Sequence, residues 1–353
     1  MNVSFRIGLV LCLSWLSVSA LAQQPGSAAA EAATSADPSD RNLTLDVVVS
    51  DRTGKAVPGL QAQDFVVLDN KKPQKVVSFQ ASGGAKTEPV EIILVVDEVN
   101  TSFTNVTYAR DEIKKFLLRN GGNLTHPVTL AFFSDGGTQI LNDSSRDGNA
   151  LQASFDQHET ALRSIRRSTG FYGAEERFQL SVNMLNSLTA REAQTPGRKI
   201  VIWVSPGWPL LSGPNVQLTN KDAKSLFSSI VAASTGLRHA RITLYSVDPL
   251  GVADSGRYFY YQEFLKPVTE WKNALPANLA LQVLATQTGG LVLNGSSDIT
   301  AQVERCVADA DTFYTLTLEM PPAEKPNEYH AIDVKVEPAG LTARTRRGYY
   351  EQP

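Results

Sequence analysis

The chain has 353 residues, of which 42% are hydrophobic and 20% charged, a composition typical of a globular protein. This length is enough for about two domains. Its 33 basic and 36 acidic residues give a net charge of -3, so the charge balance gives no reason to expect a nucleic acid as partner.

The first 22 residues have the pattern of a cleavable signal peptide. Arg6 supplies a positive charge, an apolar run covers residues 7–18, and Ala20-Leu-Ala22 is a small-x-small cleavage sequence. This run is too short to span a membrane, and no other run approaches the roughly 20 residues that a span requires. We therefore expect cleavage after Ala22, a secreted or periplasmic location, and no transmembrane segment in the mature chain. Removal of Cys12 would leave Cys306 without a partner for an intramolecular disulfide.

A leader and a short β segment follow the signal peptide. Residues 23–40 are rich in Ala, Ser, Gln and Pro, which predicts a disordered leader. Residues 41–80 read as short strands joined by tight turns, and Leu43–Val49 places its apolar side chains on one face. A β segment of this size cannot bury a core by itself.

Strands and helices alternate through residues 86–311. Alternation of apolar strands with helices predicts an α/β fold, in which a doubly wound, mainly parallel sheet is covered on both faces. An antiparallel edge strand is expected at Thr138–Leu141, because a turn at residues 135–137 precedes it. The predicted strands are Val90–Val96, Val128–Phe133, Lys199–Val204, Ile242–Val247 and Leu291–Leu293, and the predicted helices are Tyr108–Asn120, Glu175–Leu188, Asp222–His239 and Asn278–Thr288.

The last part of the chain, residues 312–353, returns to β structure. Tyr314–Met320 and Ile332–Val336 both alternate between apolar and polar residues, the pattern of half-buried strands. Neither terminal β segment is large enough to be a domain alone. We therefore expect residues 41–80 and 312–353 to pair into one β-rich module that flanks the α/β domain.

Four pieces of sequence carry a resemblance to a known family. In chain order they are Val47–Leu60, Val96–Phe103, Lys199–Gly207 and Ala343–Tyr350. With these pieces the mature chain resembles a von Willebrand factor A (VWFA) domain protein, and more narrowly the secreted VWFA-related family of acidobacteria. The resemblance implies a von Willebrand A-like, Rossmann-like sheet and a role in protein binding or cell adhesion.

The resemblance also implies a place for a metal ion. Family members that bind ligand through a metal carry D-x-S-x-S in the first loop, a Thr in a second loop and an Asp in a third, which supply oxygen ligands to Mg²⁺ or Mn²⁺. Here Asp97 matches the first Asp, but Val99 replaces the first Ser, and Ser205 stands where the third-loop Asp is expected. The site is therefore degenerate, and we expect Mg²⁺ or Mn²⁺ to bind weakly if it binds. Its candidate ligands are Asp97, Asn100, Thr101, Thr169 and Ser205.

A second interpretation of Asp97 needs no metal. A carboxylate at the end of a strand can cap the loop or helix that follows by accepting hydrogen bonds from its backbone N–H groups. The sequence leaves both interpretations open.

An enzymatic function finds little support. Trp203–Gly207 has a partial likeness to the G-x-S-x-G turn of hydrolases around Ser205, but the leading Gly is absent and Pro206 has no N–H for an oxyanion hole. The four histidines show no metal-ligand spacing and no evident pairing with a nucleophile. We assign no catalytic residue, and a hydrolase is the least favoured alternative.

Another protein is the expected partner, and aromatic residues are the candidates for binding it. Residues 250–276 follow the strand Ile242–Val247 and should lie near the edge of the sheet that holds Asp97. Aromatic side chains are enriched at interface hot spots, although each could instead pack onto the sheet. A structural envelope scaffold that acts through its β module is the alternative. Trp208, which follows Pro206-Gly207, is expected to be exposed on the same edge. The candidate residues are Trp208, Tyr258, Tyr260, Tyr261, Phe264 and Trp271.

Overall fold

A computed structural model describes residues 42–82, 89–141, 143–158, 170–211, 216, 218–251, 260–320 and 323–352. The predicted signal peptide and leader lie outside these described residues, as do Thr169 and Tyr258. Within the described ranges, no helix has both the length and the apolar character that crossing a membrane requires.

The secondary structure of these ranges comprises strands and helices in mixed order. The strands are β1 (Asn42–Ser50), β2 (Phe65–Asp69), β3 (Lys72–Gln74), β4 (Val76–Ala81), β5 (Val90–Asp97), β6 (Asn123–Ser134), β7 (Gly137–Ile140), β8 (Ser145–Asp147), β9 (Arg198–Val204), β10 (Ile242–Val247), β11 (Val292–Leu293), β12 (Tyr314–Glu319), β13 (Glu328–Val336), β14 (Thr342–Arg344) and β15 (Gly348–Glu351). The helices are α1 (Phe103–Leu117), α2 (Gly148–Gln157), α3 (Gly170–Glu192), α4 (Asn220–His239), α5 (Leu281–Gln287) and α6 (Ile299–Asp311).

The largest sheet has seven strands and is mainly parallel. Its order is β11-β10-β9-β5-β6-β7, and β8 also pairs with β6. All pairs from β11 to β6 are parallel, whereas β7 and β8 are antiparallel to β6. The prediction of an α/β fold with a mainly parallel sheet is therefore confirmed. Asp97 is the last residue of β5 and lies opposite Phe133 of β6, so it stands at the carboxyl edge of the sheet.

Helices cover both faces of this sheet. Ile93 and Val95 of β5 belong to a core that includes residues of α3, α4 and α5. Their neighbours Ile92 and Leu94 belong to a second core that includes residues of α1, α2 and α6. All four side chains are fully buried, and each such burial contributes about 1.5–3 kcal/mol to stability. The two-sided burial explains why the strand reads as a continuous apolar run rather than an alternating one.

Two four-stranded antiparallel sheets form a β-sandwich from both ends of the described chain. Their orders are β14-β1-β12-β4 and β15-β13-β2-β3. Residues such as Leu45 of β1 and Leu316 of β12 pair in one sheet, while Val67 of β2 and Val334 of β13 pair in the other. All four contribute to a single hydrophobic core. Neither terminal segment has this core without the other.

Polar contacts join the β-sandwich to the α/β layers. Arg344 of β14 forms an ion pair with Asp309 of α6 and donates to the carbonyl oxygen of Gly289 at 2.5 Å. Asp309 Oδ2 also accepts the hydroxyl of Tyr245 at 2.6 Å. Burial, with the adjacent negative charge of Asp309, raises the pKa of Tyr245 well above its ordinary value, so this phenol remains a donor.

The structure differs from the sequence prediction mainly at helix ends. Helix α1 begins at Phe103, five residues before the predicted Tyr108, because the side chain of Ser102 caps it by accepting the Asn105 N–H at 3.4 Å. Helix α3 extends beyond the predicted Glu175–Leu188 at both ends. The predicted helix Asn278–Thr288 is divided into a 3-10 turn at Pro276–Leu279 and the short helix α5.

Candidate functional site

The carboxylate of Asp97 is fully buried and accepts four hydrogen bonds. Oδ1 accepts the backbone N–H groups of Val99 and Asn100 at 2.9 and 2.8 Å. Oδ2 accepts the side-chain amide of Asn100 at 2.9 Å and the indole N–H of Trp203 at 3.0 Å. A carboxylate has about four acceptor positions, so these donors fill it. The loop after β5 is thereby fastened to the sheet.

The surrounding residues continue this hydrogen-bonded network. The amide of Asn100 also donates to Ser181 Oγ of α3 at 2.9 Å. Ser205, directly after β9, is fully buried, and its Oγ accepts the Gly207 N–H at 3.1 Å. Burial raises the pKa of Asp97, whereas the hydrogen bonds from Asn100 and Trp203 act in the opposite direction, as does the neighbouring Ser205 hydroxyl. The network lowers the cost of holding this charge away from water.

The residues around Asp97 do not fit the metal ion that the resemblance implies. The four N–H donors occupy the oxygens through which Asp97 would bind a cation, and the side chain of Val99 offers no ligand atom. Asn100 Oδ1 and Thr101 Oγ1 are buried and have no hydrogen-bond partner among the described residues. These two oxygens are uncharged, however, and Mg²⁺ gives up its water reluctantly without carboxylate ligands. The geometry is that of a loop cap, the second interpretation above.

Two more carboxylates lie at the same edge of the sheet. Glu98 is fully buried and has its Oε1 4.0 Å from Nε2 of His158. Arg110 lies in the same cluster and donates to the carbonyl oxygens of Phe155 and His158 at 2.8 and 2.9 Å. Asp248 follows β10, and its Oδ1 accepts the Leu250 N–H at 2.8 Å. Sequence reasoning missed Asp248, although its position directly after a strand is the signal that singled out Asp97.

The aromatic candidates are distributed differently from the prediction. Trp208 is only 3% exposed and packs edge-to-face on Trp203 with ring centroids 5.0 Å apart. The expectation of an exposed Trp208 is therefore wrong, because the chain after β9 folds back over the sheet. Of the other candidates, Tyr260 is 56% exposed, whereas Tyr261, Phe264 and Trp271 are half-buried.

Phe264 does not share a site with Asp97. It lines a groove with Leu237 near the C-terminal end of α4, together with Tyr350 of the β-sandwich. The hydroxyl of Tyr350 donates to the carbonyl oxygen of Val268 at 2.8 Å, which holds this segment against the groove. The prediction that residues 250–276 lie near Asp97 is wrong for the segment that contains Phe264 and Val268. This segment runs back along the side of the sheet.

Three exposed aromatic residues that the sequence did not indicate lie at the carboxyl edge. Phe103 is 64% exposed at the start of α1, and Phe171 and Tyr172 are 41% and 81% exposed at the start of α3. Helices that connect parallel strands run antiparallel to them, so their N-terminal ends lie at this edge. We name Phe103, Phe171 and Tyr172 the aromatic rim. The predicted helices begin at Tyr108 and Glu175, after these three residues, whereas α1 and α3 begin at Phe103 and Gly170.

Comparisons with known proteins assign no family. No family model and no curated protein matches the chain. Among solved structures, proximal thread matrix protein 1 from the mussel byssus is similar at 14% identity and a TM-score of 0.35, over 64% of this chain and 48% of that one. The pilus adhesin SpaC from Lactobacillus rhamnosus GG is similar at 11% identity and a TM-score of 0.35, over 86% and 49%.

A third structure is similar over nearly its whole length. It is BatB from Bacteroides thetaiotaomicron, at 13% identity and a TM-score of 0.31, over 63% of this chain and 98% of that one. The chain spans about half the length of the byssus protein and of the adhesin. Likenesses at these TM-scores do not assign a fold family or a function.

Proposed function

We propose that this chain is an exported, non-enzymatic protein-interaction or adhesion module with a von Willebrand A-like fold. We further propose that its recognition surface is the aromatic rim, which binds without a metal ion. The mainly parallel sheet with helices on both faces, and the strand-end Asp97 followed by a hydroxyl-rich loop, support this reading.

The observation that carries the proposal is the exposure of large aromatic side chains at one edge of the sheet. Phe103 and Tyr172 leave most of their surface in water. Aromatic residues supply much of the binding energy at protein interfaces, because burying one removes a large apolar area from water. An edge that carries several of them is a favourable surface for a protein partner.

Asp97 would support recognition by positioning the rim. Its carboxylate fixes the backbone of Val99 and Asn100, two residues before the Ser102 cap that begins α1. Phe103 is the first residue of that helix. An Asp that orders the loop in this way takes the place of the metal ion, which in metal-binding relatives contacts the partner directly.

Nucleophilic catalysis is disfavoured by the surroundings of Ser205. Its side chain is fully buried, and its Oγ accepts a hydrogen bond from Gly207. A nucleophile needs a base within hydrogen-bond reach and a path for the substrate. We therefore propose no catalytic residue.

The test is capture of surface and secreted proteins from the source organism on immobilised protein in buffer that contains EDTA. Phe103→Ser and Tyr172→Ser each remove an exposed aromatic ring. Val77→Ser is the matched control, since Val77 is 49% exposed but lies on β4 of the β-sandwich. We expect a partner that the two rim variants lose and the control retains. If only Val77→Ser loses the partner, the scaffold alternative is favoured. If the partner is captured only when Mg²⁺ replaces EDTA in the buffer, the metal-free mechanism is contradicted.

A further inference from the structure

A polar pocket lies where the C-terminal end of α4 meets the β-sandwich. It is a small, shallow pocket whose empty space, counted together with the solvent at its mouth, is about 270 Å³. Three arginines, Arg238, Arg241 and Arg346, line it, and Asp46 is the one acidic residue among the described residues of its wall. Four threonines complete the polar wall: Thr44, Thr243, Thr288 and Thr345.

The positive charge of this pocket exceeds its negative charge. Arg241 forms an ion pair with Asp46 at 2.6 Å, and Asp46 also accepts the hydroxyl of Thr315 at 3.1 Å. The charge of Asp46 is therefore largely engaged. Arg346 is 8% exposed, and burial together with repulsion by Arg238 lowers its pKa to about 10. Arg346 remains a cation at neutral pH, because Asp46 partly offsets the repulsion by Arg238, and the described residues show no ion pair between a carboxylate and either of these two arginines.

Two buried polar atoms in the wall of the pocket lack a partner. Arg238 Nε and Thr345 Oγ1 make no hydrogen bond with any described residue. A buried donor left unsatisfied destabilises the folded state, so such atoms are commonly satisfied by a ligand or an ordered molecule. Both can donate, and both belong to the same pocket as Arg346.

A purely structural role explains only part of this arrangement. Cations near the C-terminal end of a helix interact favourably with its dipole, which accounts for Arg238 and Arg241 at the end of α4. Arg346 and Thr345 lie in the connection between β14 and β15, on the β-sandwich side. The helix dipole gives no reason for a buried cation to approach from that side as well.

We infer that this pocket binds a phosphate group. Three arginines and one aspartate give a local net charge of about +2, which complements a phosphate that carries about -1.5 to -2 at pH 7. Guanidinium groups donate in a planar fork that matches phosphate oxygens, and the Thr345 hydroxyl adds a donor. The site is separate from the aromatic rim, because it lies at the opposite, amino edge of the sheet.

An apolar groove adjoins the pocket, so the bound phosphate is either a free ion or part of an ester with an apolar tail. Thr288 and Arg346 line both the phosphate pocket and the groove that contains Ile230, Leu237 and Tyr350. A free phosphate ion would use the pocket alone. A phosphate ester with an apolar tail would also bury that tail in the groove.

The experiment is calorimetric titration of the whole protein with inorganic phosphate, with sodium chloride at matched ionic strength as the blank, and with hexyl phosphate. We expect saturable binding of inorganic phosphate that Arg346→Gln weakens at least tenfold. Thr345→Val, which keeps the shape of the side chain, should weaken it severalfold and covers the case in which Arg346→Gln does not fold. Arg305→Gln, on the exposed face of α6, removes the same charge elsewhere and should leave binding unchanged.

If hexyl phosphate binds more tightly than inorganic phosphate, the source is an ester with an apolar tail. If the two bind equally well, the source is the free phosphate ion. Absence of saturable binding by either compound would overturn the inference. Binding that Arg305→Gln weakens as much as Arg346→Gln and Thr345→Val would also overturn it, because it would show a nonspecific response to charge.

Discussion

The indole N–H of Trp203 donates to Asp97 Oδ2 at 3.0 Å and thereby joins the ends of the adjacent strands β9 and β5. In the metal-binding VWFA-domain proteins that the sequence resembles, the cation is expected at this Asp. Here an uncharged donor satisfies the carboxylate, together with the backbone of the loop. This arrangement supports the proposal that Asp97 positions the loop before Phe103 of the aromatic rim.

Loss of the Trp203 donor should destabilise the protein. Trp203→Phe leaves a buried carboxylate with one donor fewer, which should lower the free energy of unfolding by about 1–3 kcal/mol beyond the cost of the lost volume. Trp208→Phe is the matched control, since Trp208 is also buried but its Nε1 has no hydrogen-bond partner among the described residues. Urea unfolding of both variants measures the difference. Equal destabilisation would show that the hydrogen bond to Asp97 contributes nothing.

The polar contact between the β-sandwich and α6 should be a major contributor to stability. Asp309→Ala leaves the charge of Arg344 largely buried without its carboxylate, which should cost about 3–5 kcal/mol. Asp156→Ala is the comparison, because it removes the ion pair between Asp156 and Lys114, whose side chains are 40% and 30% exposed. Loss of this exposed pair should cost less than about 1 kcal/mol. Denaturant unfolding monitored by fluorescence compares them. Similar small losses in both variants would mean that the junction does not depend on Asp309.

Acidification should destabilise the protein through His158. Burial and the adjacent Arg110 lower the pKa of His158 from 6.5, although Glu98 lies 4.0 Å away. Because the folded pKa is the lower one, the stability from neutral His158 is fully present above pH 6.5 and is lost as the pH falls through the folded pKa. Unfolding free energies across this range should therefore fall less steeply for His158→Gln than for wild type. His239→Gln, at an exposed position, is the control, and a slope unchanged by His158→Gln would refute the assignment.

Gly290 should not tolerate a side chain. A Cβ there would lie 1.8 Å from the carbonyl oxygen of Leu244, within the sheet, so Gly290→Ala must displace backbone. We expect a loss of at least about 2 kcal/mol in unfolding free energy. At Gly295, five residues later, a Cβ would meet nothing within 4 Å, and Gly295→Ala should be close to neutral. Thermal unfolding of the two variants distinguishes them, and a stable Gly290→Ala protein would contradict the packing described for this turn.

The sequence predicted those parts of the fold that depend on local pattern. The strand Ile242–Val247 was predicted with its observed bounds, because a strand buried on both faces is a continuous apolar run. The start of α1 was placed too late, since Phe103 and Val106 precede the clear helical pattern and only the cap at Ser102 marks the boundary. The strand-end position of Asp97 was also predicted.

The parts of the site that were not predicted depend on contacts between distant segments. Trp203 and Asp97 are 106 residues apart, and no local pattern indicates which strand brings an indole to the carboxylate. The Pro-Gly pair before Trp208 predicts a turn, but a turn signal carries no information about whether the next side chain is buried. The phosphate pocket likewise combines Arg238 of α4 with Arg346 of the β-sandwich, residues that only the tertiary structure places together.

The loop cap at Asp97 is tested most directly by calorimetric titration of the protein with Mg²⁺, Mn²⁺ and Ca²⁺. If Asp97 is filled by the loop and by Trp203, no saturable binding should appear up to millimolar metal. Thr101→Val, which removes a buried hydroxyl without changing the shape of the side chain, should give the same result as wild type. Stoichiometric metal binding by wild type that Thr101→Val or Asp97→Ala abolishes would contradict the account and restore a metal-dependent mechanism.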